Sequence, residues 1–527
     1  MQKVVAPVLC ILVFSLSLTA QHSSHQLGTV EFKNSCSPAV QEQFQRSVAM
    51  LHSFRYIEGE KSFREVLVKD PSCAIATWGI AAILMSNPLT GIGPSPEWAA
   101  RARATIDAGR RIGPKTVREK EYLEAVAAYW EDWTNRPEKT RQLNRAKAYG
   151  ALAGNYPDDD EAQIFYALYL SGTQSLADQT YSAYLAAAEI LEKQFAKYPD
   201  HPGAAHYLIH SYDAPAIAAR GLNAARRYAD IAPAAPHALH MPSHIFTRVG
   251  YWKDSVATNS RSAEAAKADK EYEEQLHAMD YMTYANLQMG RDAEAKRIAD
   301  EGASVSGFNT LRFVGPYAQA AMPARYALER GDWKLASKLE PKSSGFAFTT
   351  ALTHFARAIG AARSGDVELA NREIAQLSRL RDELKSAKSE YWAGEVEISR
   401  VAGSAWTALA QGKKVEALSL MQSAADAEDK SEKHIVTPGR LLPARELLGD
   451  MLLELDRAAD ALKEFEATQI REPGRFRSYH GAAVAAEKMG DTSKAEKYFS
   501  KLIELADGTN ERSELTKAKK FMAKARK

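Results

Sequence analysis

Seven of the thirteen histidines fall between His201 and Asp280: His201, His206, His210, His237, His240, His244 and His277. Imidazole binds transition metals well in its neutral form, and it gains or loses its proton near neutral pH. His206/His210 and His240/His244 are spaced i,i+4 and His237/His240 i,i+3, so on a helix each set shares a face. Two imidazoles one turn apart chelate Zn²⁺, Cu²⁺ or Fe²⁺, and a neighbouring helix can complete the shell. Asp213 or Asp280 could join as a ligand or hold an imidazole from behind. The first pair reads His-Tyr-Leu-Ile-His. A zinc-protease helix needs Glu directly after its first histidine, so that chemistry is excluded. No nucleophile elbow, phosphate loop or dinucleotide fingerprint suggests another. The alternative is a polar groove whose imidazoles bond one another, water and a bound peptide.

Those spacings require helices, and the sequence supplies little else. From Gln21 onward Ala, Leu, Glu, Lys and Arg dominate, apolar residues recur every three or four positions, and Pro, Gly and Asp punctuate the segments. Pro242, between His240 and His244, must either kink a helix or stand in the first turn of one that restarts. With 527 residues and 45% hydrophobic content, the chain buries a large core as several domains or as one long array. A net charge of +2 gives no global field for nucleic acid or anionic lipid, and no nucleic-acid partner is expected.

The breaks recur with a period. Pro199 and Pro233 stand 34 residues apart, each closing a segment of small residue, aromatic and turn. The same pattern returns at 56–71, 250–266, 290–302, 412–428, 456–473 and 490–508, with Ala295, Ala417, Ala461 and Ala495 at the helix-packing position. These segments resemble tetratricopeptide repeats. The resemblance covers most of 40–510, is clearest at 50–90, 190–300 and 400–510, and blurs at 90–185 and 305–395. It implies an all-α solenoid, a right-handed superhelix of helical hairpins with a concave binding groove. The family's register turns three sets of residues into that groove from consecutive repeats: His206, His210 and Asp213; His237, His240 and His244; His277, Asp280 and Tyr284. It also turns His52, Glu446, Asp450, Arg477 and His480 inward, with Arg248 beside them. Trp78 reads either as a stacking platform for a ligand or as packed core.

The expected organisation is a signal peptide (1–20), a flexible polar leader (21–34), N-terminal helical repeats (35–185), central histidine-rich repeats (186–304), degenerate helical repeats (305–395), and C-terminal repeats with a basic capping helix (396–527). Met1–Lys3 supplies a basic start, Val4–Leu18 is apolar, and Leu18-Thr19-Ala20 offers a cleavage site. The apolar run is shorter than the roughly 20 residues needed to span a bilayer. A secreted or periplasmic protein is predicted, with no transmembrane span in the mature chain. In an oxidising compartment Cys36 and Cys73 read as a disulfide, with free buried thiols as the alternative. The expected function is an exported scaffold that binds a peptide, protein or small ligand in its groove and carries a histidine-rich metal site. A metal-dependent hydrolase or oxidase using the same histidines is the alternative.

Overall fold

The computed structural model describes residues 26–310, 312–506 and 512–525, and the expected signal peptide lies outside them. Among the described residues there are twenty-six α-helices, two 3₁₀ turns and no strand. Each helix packs mainly on its neighbours in sequence, as Trp252–Ala268 does on Tyr272–Gln288 and Phe476–Lys488 on Thr492–Leu505. This is a tetratricopeptide-type solenoid of stacked helical hairpins.

Thr492–Leu505 shows how the sequence builds one unit. Asp491 caps the helix by accepting from the Lys494 amide, and Gly490 ends the preceding helix at φ +75°. Ala495, Tyr498, Phe499 and Leu502 are buried along one stripe. Each large apolar side chain so buried contributes about 2 kcal/mol, more than helix propensity supplies. In the two stretches where the repeat blurs, helices persist with altered form. Val314–Glu329 carries Pro323 inside it, and Trp333–Ser337 has only 5 residues.

The leader is not flexible over its described part. Leu27, Val30 and Phe32 are buried, the Thr29 amide donates to the Asp200 carbonyl, and the Phe32 ring lies 5.0 Å from that of Trp78. Val30 and Phe32, two apart with exposed Glu31 between them, turn to the same side of this non-helical stretch and bury it against the helices. Cys36 and Cys73 form a disulfide that ties it to the turn after Tyr56–Lys69.

The apolar core forms two main bodies, one spanning Leu27 to Phe246 and one spanning Phe313 to Ala518. The histidine-rich helices lie at the seam between them. Across that seam the solenoid closes on itself: Trp252 Nε1 donates to the Gly474 carbonyl at 2.8 Å, and Arg512 pairs with Asp292 at 2.7 Å. Residues 429–443, between Lys414–Glu428 and Ala444–Glu454, are a crossing segment and not a short repeat turn. Their stretch from Glu432 to Gly439 is buried. The Glu432 amide donates to the Leu176 carbonyl, His434 Nε2 to the Thr90 carbonyl, and the Tyr281 hydroxyl to the Ile435 carbonyl. The concave face beside the histidines is therefore covered by the chain itself. Among the described residues no helix is long and apolar enough to cross a membrane.

Candidate metal centre

Six histidines converge at the seam. His206 and His210 come from Pro202–Ser211, His237 and His240 from Pro236–His240, His244 from Pro242–Arg248, and His277 from Tyr272–Gln288. None is more than 8% exposed. Pro242 stands in the first turn of a restarted helix, and Met241 before it keeps φ −52° and ψ −37°. The path stays near-helical, so His240 and His244 remain one turn apart on a common side. Gly203 serves the neighbouring helix in another way. A Cβ at this position would lie 2.3 Å from His52 Nδ1. Its absence lets the helix press against His52, whose carbonyl accepts from His206 Nδ1 at 2.6 Å.

Hydrogen bonds fix the ring protons. The His52 carbonyl can only accept, so His206 carries its proton on Nδ1. Asn259 donates its amide to the Ser255 carbonyl, which leaves Oδ1 to accept from His240 Nδ1 at 2.6 Å. The Asp213 carboxylate accepts from His244 Nδ1 at 2.8 Å, and that of Glu274 from His237 Nδ1 at 3.1 Å. In the neutral rings of His206, His240 and His244 the Nε2 lone pair is thus left free. His240 Nε2 and His244 Nε2 stand 3.1 Å apart. Lone pair faces lone pair there, a repulsion that a shared cation relieves. A tetrahedral metal with bonds of about 2.0–2.1 Å to nitrogen spaces its ligands by roughly 3.3 Å. His206 Nε2, His237 Nε2 and both nitrogens of His210 are buried without any hydrogen-bond partner in the protein. Each such atom costs about 1–3 kcal/mol.

The six rings form two triads, His206/His210/His237 and His240/His244/His277, with one nitrogen per ring within 4.8 Å of the other two. The triads abut: the rings of His210 and His244 are 5.4 Å apart. Burial, with neighbouring imidazoles adding to it, holds His206, His210 and His240 well below the ordinary histidine range and pushes His277 down to about 3. Burial lowers His244 as well, against the pull of Asp213. Neutral imidazole is the form that ligates metal. Burial works against the Asp213 carboxylate, but Lys433, Arg248 and His244 outweigh it and keep it ionised. Burial is likewise outweighed at Glu274, which His237, His277 and Arg312 hold down to about 2. Lys433 comes from the crossing segment. Burial, then Arg248, pushes it down to about 8, and its Nζ has no hydrogen-bond partner, with Asp213 3.6 Å away.

Other expected site residues are placed elsewhere. Asp280 is buried in an ion pair with Arg325 at 2.8 Å, so its carboxylate is taken and it is not a ligand. Asp213 stands behind His244 and also binds Arg248 at 2.7 Å, while Arg248 faces Glu432 at 3.6 Å. Trp78 is fully buried and donates to the Tyr149 hydroxyl at 2.7 Å, which makes it core and not a platform. Tyr284, Glu446, Asp450 and Arg477 belong to a closed polar network around Arg475. Glu446 binds Arg475 and Arg477 at 2.9 and 3.0 Å, Arg477 binds Asp450, and Arg475 donates to the Tyr284 hydroxyl at 2.8 Å. His480 lies partly buried beyond that network, pushed down by burial to about 4. His52 and His201 clasp Glu161 at 2.8 and 2.9 Å. Sequence reasoning missed Asn259, Glu274 and Lys433. Glu274 left a signal, since it stands one turn before His277. Asn259 and Lys433 left none.

A cavity of about 160 Å³ opens onto His210, His237, His244, His277 and Glu274. No known protein family matches the chain, and no curated protein does. Solved structures similar to it include the Cut9–Hcn1 hetero-tetramer of the APC/C, at 12% identity over 92% of this chain and 96% of that one, with a TM-score of 0.29. Yeast Tom70 is similar at 13% identity over 93% and 90%, with a TM-score of 0.30. At these values neither likeness carries an argument about the site or its function.

Proposed function

We propose that this protein is a metalloenzyme that holds two transition-metal ions, one in each histidine triad, on a tetratricopeptide-type scaffold. The observation that carries the reading is the 3.1 Å approach of His240 Nε2 to His244 Nε2 while both Nδ1 atoms donate to fixed acceptors. A carbonyl, an amide oxygen and two carboxylates orient the rings from behind, the arrangement that fixes tautomers at metal sites. Ligation by imidazole alone suits zinc or copper, with iron less favoured where no carboxylate joins the shell. A bound ion would supply an acidified water for hydrolysis or a redox centre for oxidation. The chain's own groups do the rest. Asp213 and Glu274 hold imidazoles in place from behind, and Lys433, 3.6 Å from Asp213, helps keep that carboxylate ionised.

Export to a secreted or periplasmic location belongs to the same reading, supported by the apolar Val4–Leu18 run and by the Cys36–Cys73 disulfide. Solenoids of this type are scaffolds for protein partners. Here a partner would dock outside the part of the groove that residues 429–443 fill.

Metal content measured by mass spectrometry on untagged protein tests the proposal, beside a His210→Ala/His244→Ala variant. Close to two equivalents in the native protein and none in the variant is the expected result. A native protein that stays metal-free after exposure to Zn²⁺ and to Cu²⁺ would overturn it.

A further inference from the structure

The six histidines are buried, so an ion or a substrate must reach them through the cavity of about 160 Å³ that lies over them. Most of its wall is fixed. The histidines stand on packed helices, Phe54 and Phe313 are buried in the two cores, and Phe346 packs on the second. Arg312 pairs with Glu273 at 3.1 Å. The crossing segment is bonded from several sides, by the Tyr281 hydroxyl at the Ile435 carbonyl and by Arg325 at the Thr437 hydroxyl, the latter at 2.6 Å.

The stretch 86–95 is held differently. It is non-helical, joins Ile75–Leu84 to Pro96–Ile112, and places Ser86, Thr90, Ile92 and Pro94 on the cavity wall. Much of its bonding is internal: Asn87 Oδ1 accepts from the Leu89 amide, and the Thr90 hydroxyl donates to the Asn87 carbonyl. Among the described residues, three hydrogen bonds tie it to the molecule beyond its flanking helices. His434 Nδ1 accepts from the Val436 amide, which leaves Nε2–H to donate to the Thr90 carbonyl at 2.8 Å. The other two stand at the outer limit of hydrogen bonding, at 3.5 Å each, from Arg145 to the Pro88 carbonyl and from Arg312 to the Ser86 hydroxyl.

Two partly buried side chains press the stretch down, Leu89 on the first core and Ile92 on the second. Its backbone has turning points. Ser86 stands at φ +60°, a state that residues with a side chain rarely adopt, and Gly91 at φ +67° with open space where a Cβ would be. We propose that residues 86–95 are a lid over the histidine cavity, hinged at Ser86 and Gly91 and latched by the His434–Thr90 bond. Its opening is the route by which metal and substrate enter. Weakly tied segments of this kind open locally while the rest of a fold stays closed. The Arg312–Glu273 pair need not break, since only the long contact to Ser86 crosses to the lid. The proposal rests on the reading of these histidines as the functional site, and it names how that site is reached.

Val436 is buried on the cavity wall, so Val436→Cys places a thiol beneath the lid at similar volume. The full chain with this change, metal-free, is treated with methyl methanethiosulfonate, and labelling at 436 is followed by peptide mass spectrometry. Phe346→Cys on the same wall replaces it if circular dichroism shows that it does not fold. Two further changes are compared in that background: Leu89→Ala, which loosens the lid, and Phe499→Leu, which weakens the buried core of the last repeats. Labelling should run far slower than that of a free thiol. Leu89→Ala should speed it by about tenfold, and Phe499→Leu should leave it unchanged. Zn²⁺ uptake by the chain without the added cysteine should speed up likewise in Leu89→Ala, with the final metal content unaltered. Labelling at the free-thiol rate, no acceleration by Leu89→Ala, or equal acceleration by Phe499→Leu would overturn the lid, the last because entry would then run through global unfolding. Each of these leaves the metal reading standing if zinc is bound. A lid that passes the thiol test on a protein that takes up no zinc would be retained, and the metal centre would fall.

Discussion

Two histidine clusters lie close together in the same repeats, and their hydrogen-bond ledgers are opposite. In the first, His52 and His201 clasp Glu161, and all four ring nitrogens have partners. His52 Nδ1 meets the Tyr207 hydroxyl at 3.0 Å, and His201 Nδ1 accepts from the Ala204 amide at 3.2 Å. A cleft of about 510 Å³ runs beside this triad. In the second, six rings meet with four nitrogens unpartnered and two lone pairs face to face, beside a cavity of about 160 Å³. The metal reading proposed above therefore rests not on cleft size but on the concentration of unpaired ring nitrogens in the smaller site, an arrangement that a bound ion would complete.

Acidification should separate the clusters most strongly. His206, His210, His240, His244 and His277 lie below the free-histidine value of 6.5 in the folded state. Below pH 6.5 the unfolded chain takes up protons that the metal-free fold refuses, so stability falls as pH drops. The slope is up to about 1.4 kcal/mol per pH unit for each such ring. In the paired triad burial lowers His52 as well, and the lowered carboxyl of Glu161 acts with the same sign in a lower pH window. Its contribution is present above 4.5 and is lost only as pH falls below that value. Denaturant midpoints at pH 7, 6 and 5 should fall steeply for metal-free protein and flatten with saturating Zn²⁺. A level profile across that range would mean that these five rings are not held neutral.

Breaking the paired triad should come next in size. Glu161→Ala leaves two buried imidazoles without their anion and should cost about 3–5 kcal/mol in chemical denaturation. Metal content should be unchanged. Gly203→Ala sits between the two clusters. Its new Cβ meets the His52 ring at 2.3 Å. Overpacking of this kind costs about 1–3 kcal/mol. A shift of the carbonyl behind His206 should also weaken metal binding by about 10-fold, read by competition with a chelator. The smallest effect has the most telling sign. His210→Phe removes two unpaired buried nitrogens at similar volume and should stabilise the metal-free protein by about 1 kcal/mol. It should also abolish the stabilisation that added metal gives. A destabilised metal-free variant would show that His210 has a partner within the protein.

The fold class and the six histidines were legible because both are matters of short-range spacing. The i,i+4 pairs and the recurring Pro and Gly breaks are set within one or two helices. Partner choice is not. Asp280 and Asp213 read alike, as inward acids on repeat helices, yet Arg325 takes one and His244 the other. Arg325 lies 45 positions from Asp280 in the chain, and Arg475 lies 191 from Tyr284. No local pattern reports pairings over such spans. Trp78 was ambiguous for the same reason, since an inward face can point at a groove or at another core. Residues 429–443 were read as part of a regular repeat array. Their Thr437-Pro438-Gly439 break gave notice of a non-helical stretch, though not of where it would lie.

That crossing segment changes how the molecule should come apart. In an open repeat array each hairpin depends on its neighbours alone, so such arrays fray from their ends and unfold in stages. Here Tyr281 reaches Ile435 across 154 residues, Trp252 reaches Gly474 across 222, and Thr90 reaches His434 across 344. These contacts work as a clasp. They make the loss of either end felt at the centre and raise the contact order above that of a linear solenoid. The protein should accordingly fold slowly for a helical chain and unfold as a cooperative unit.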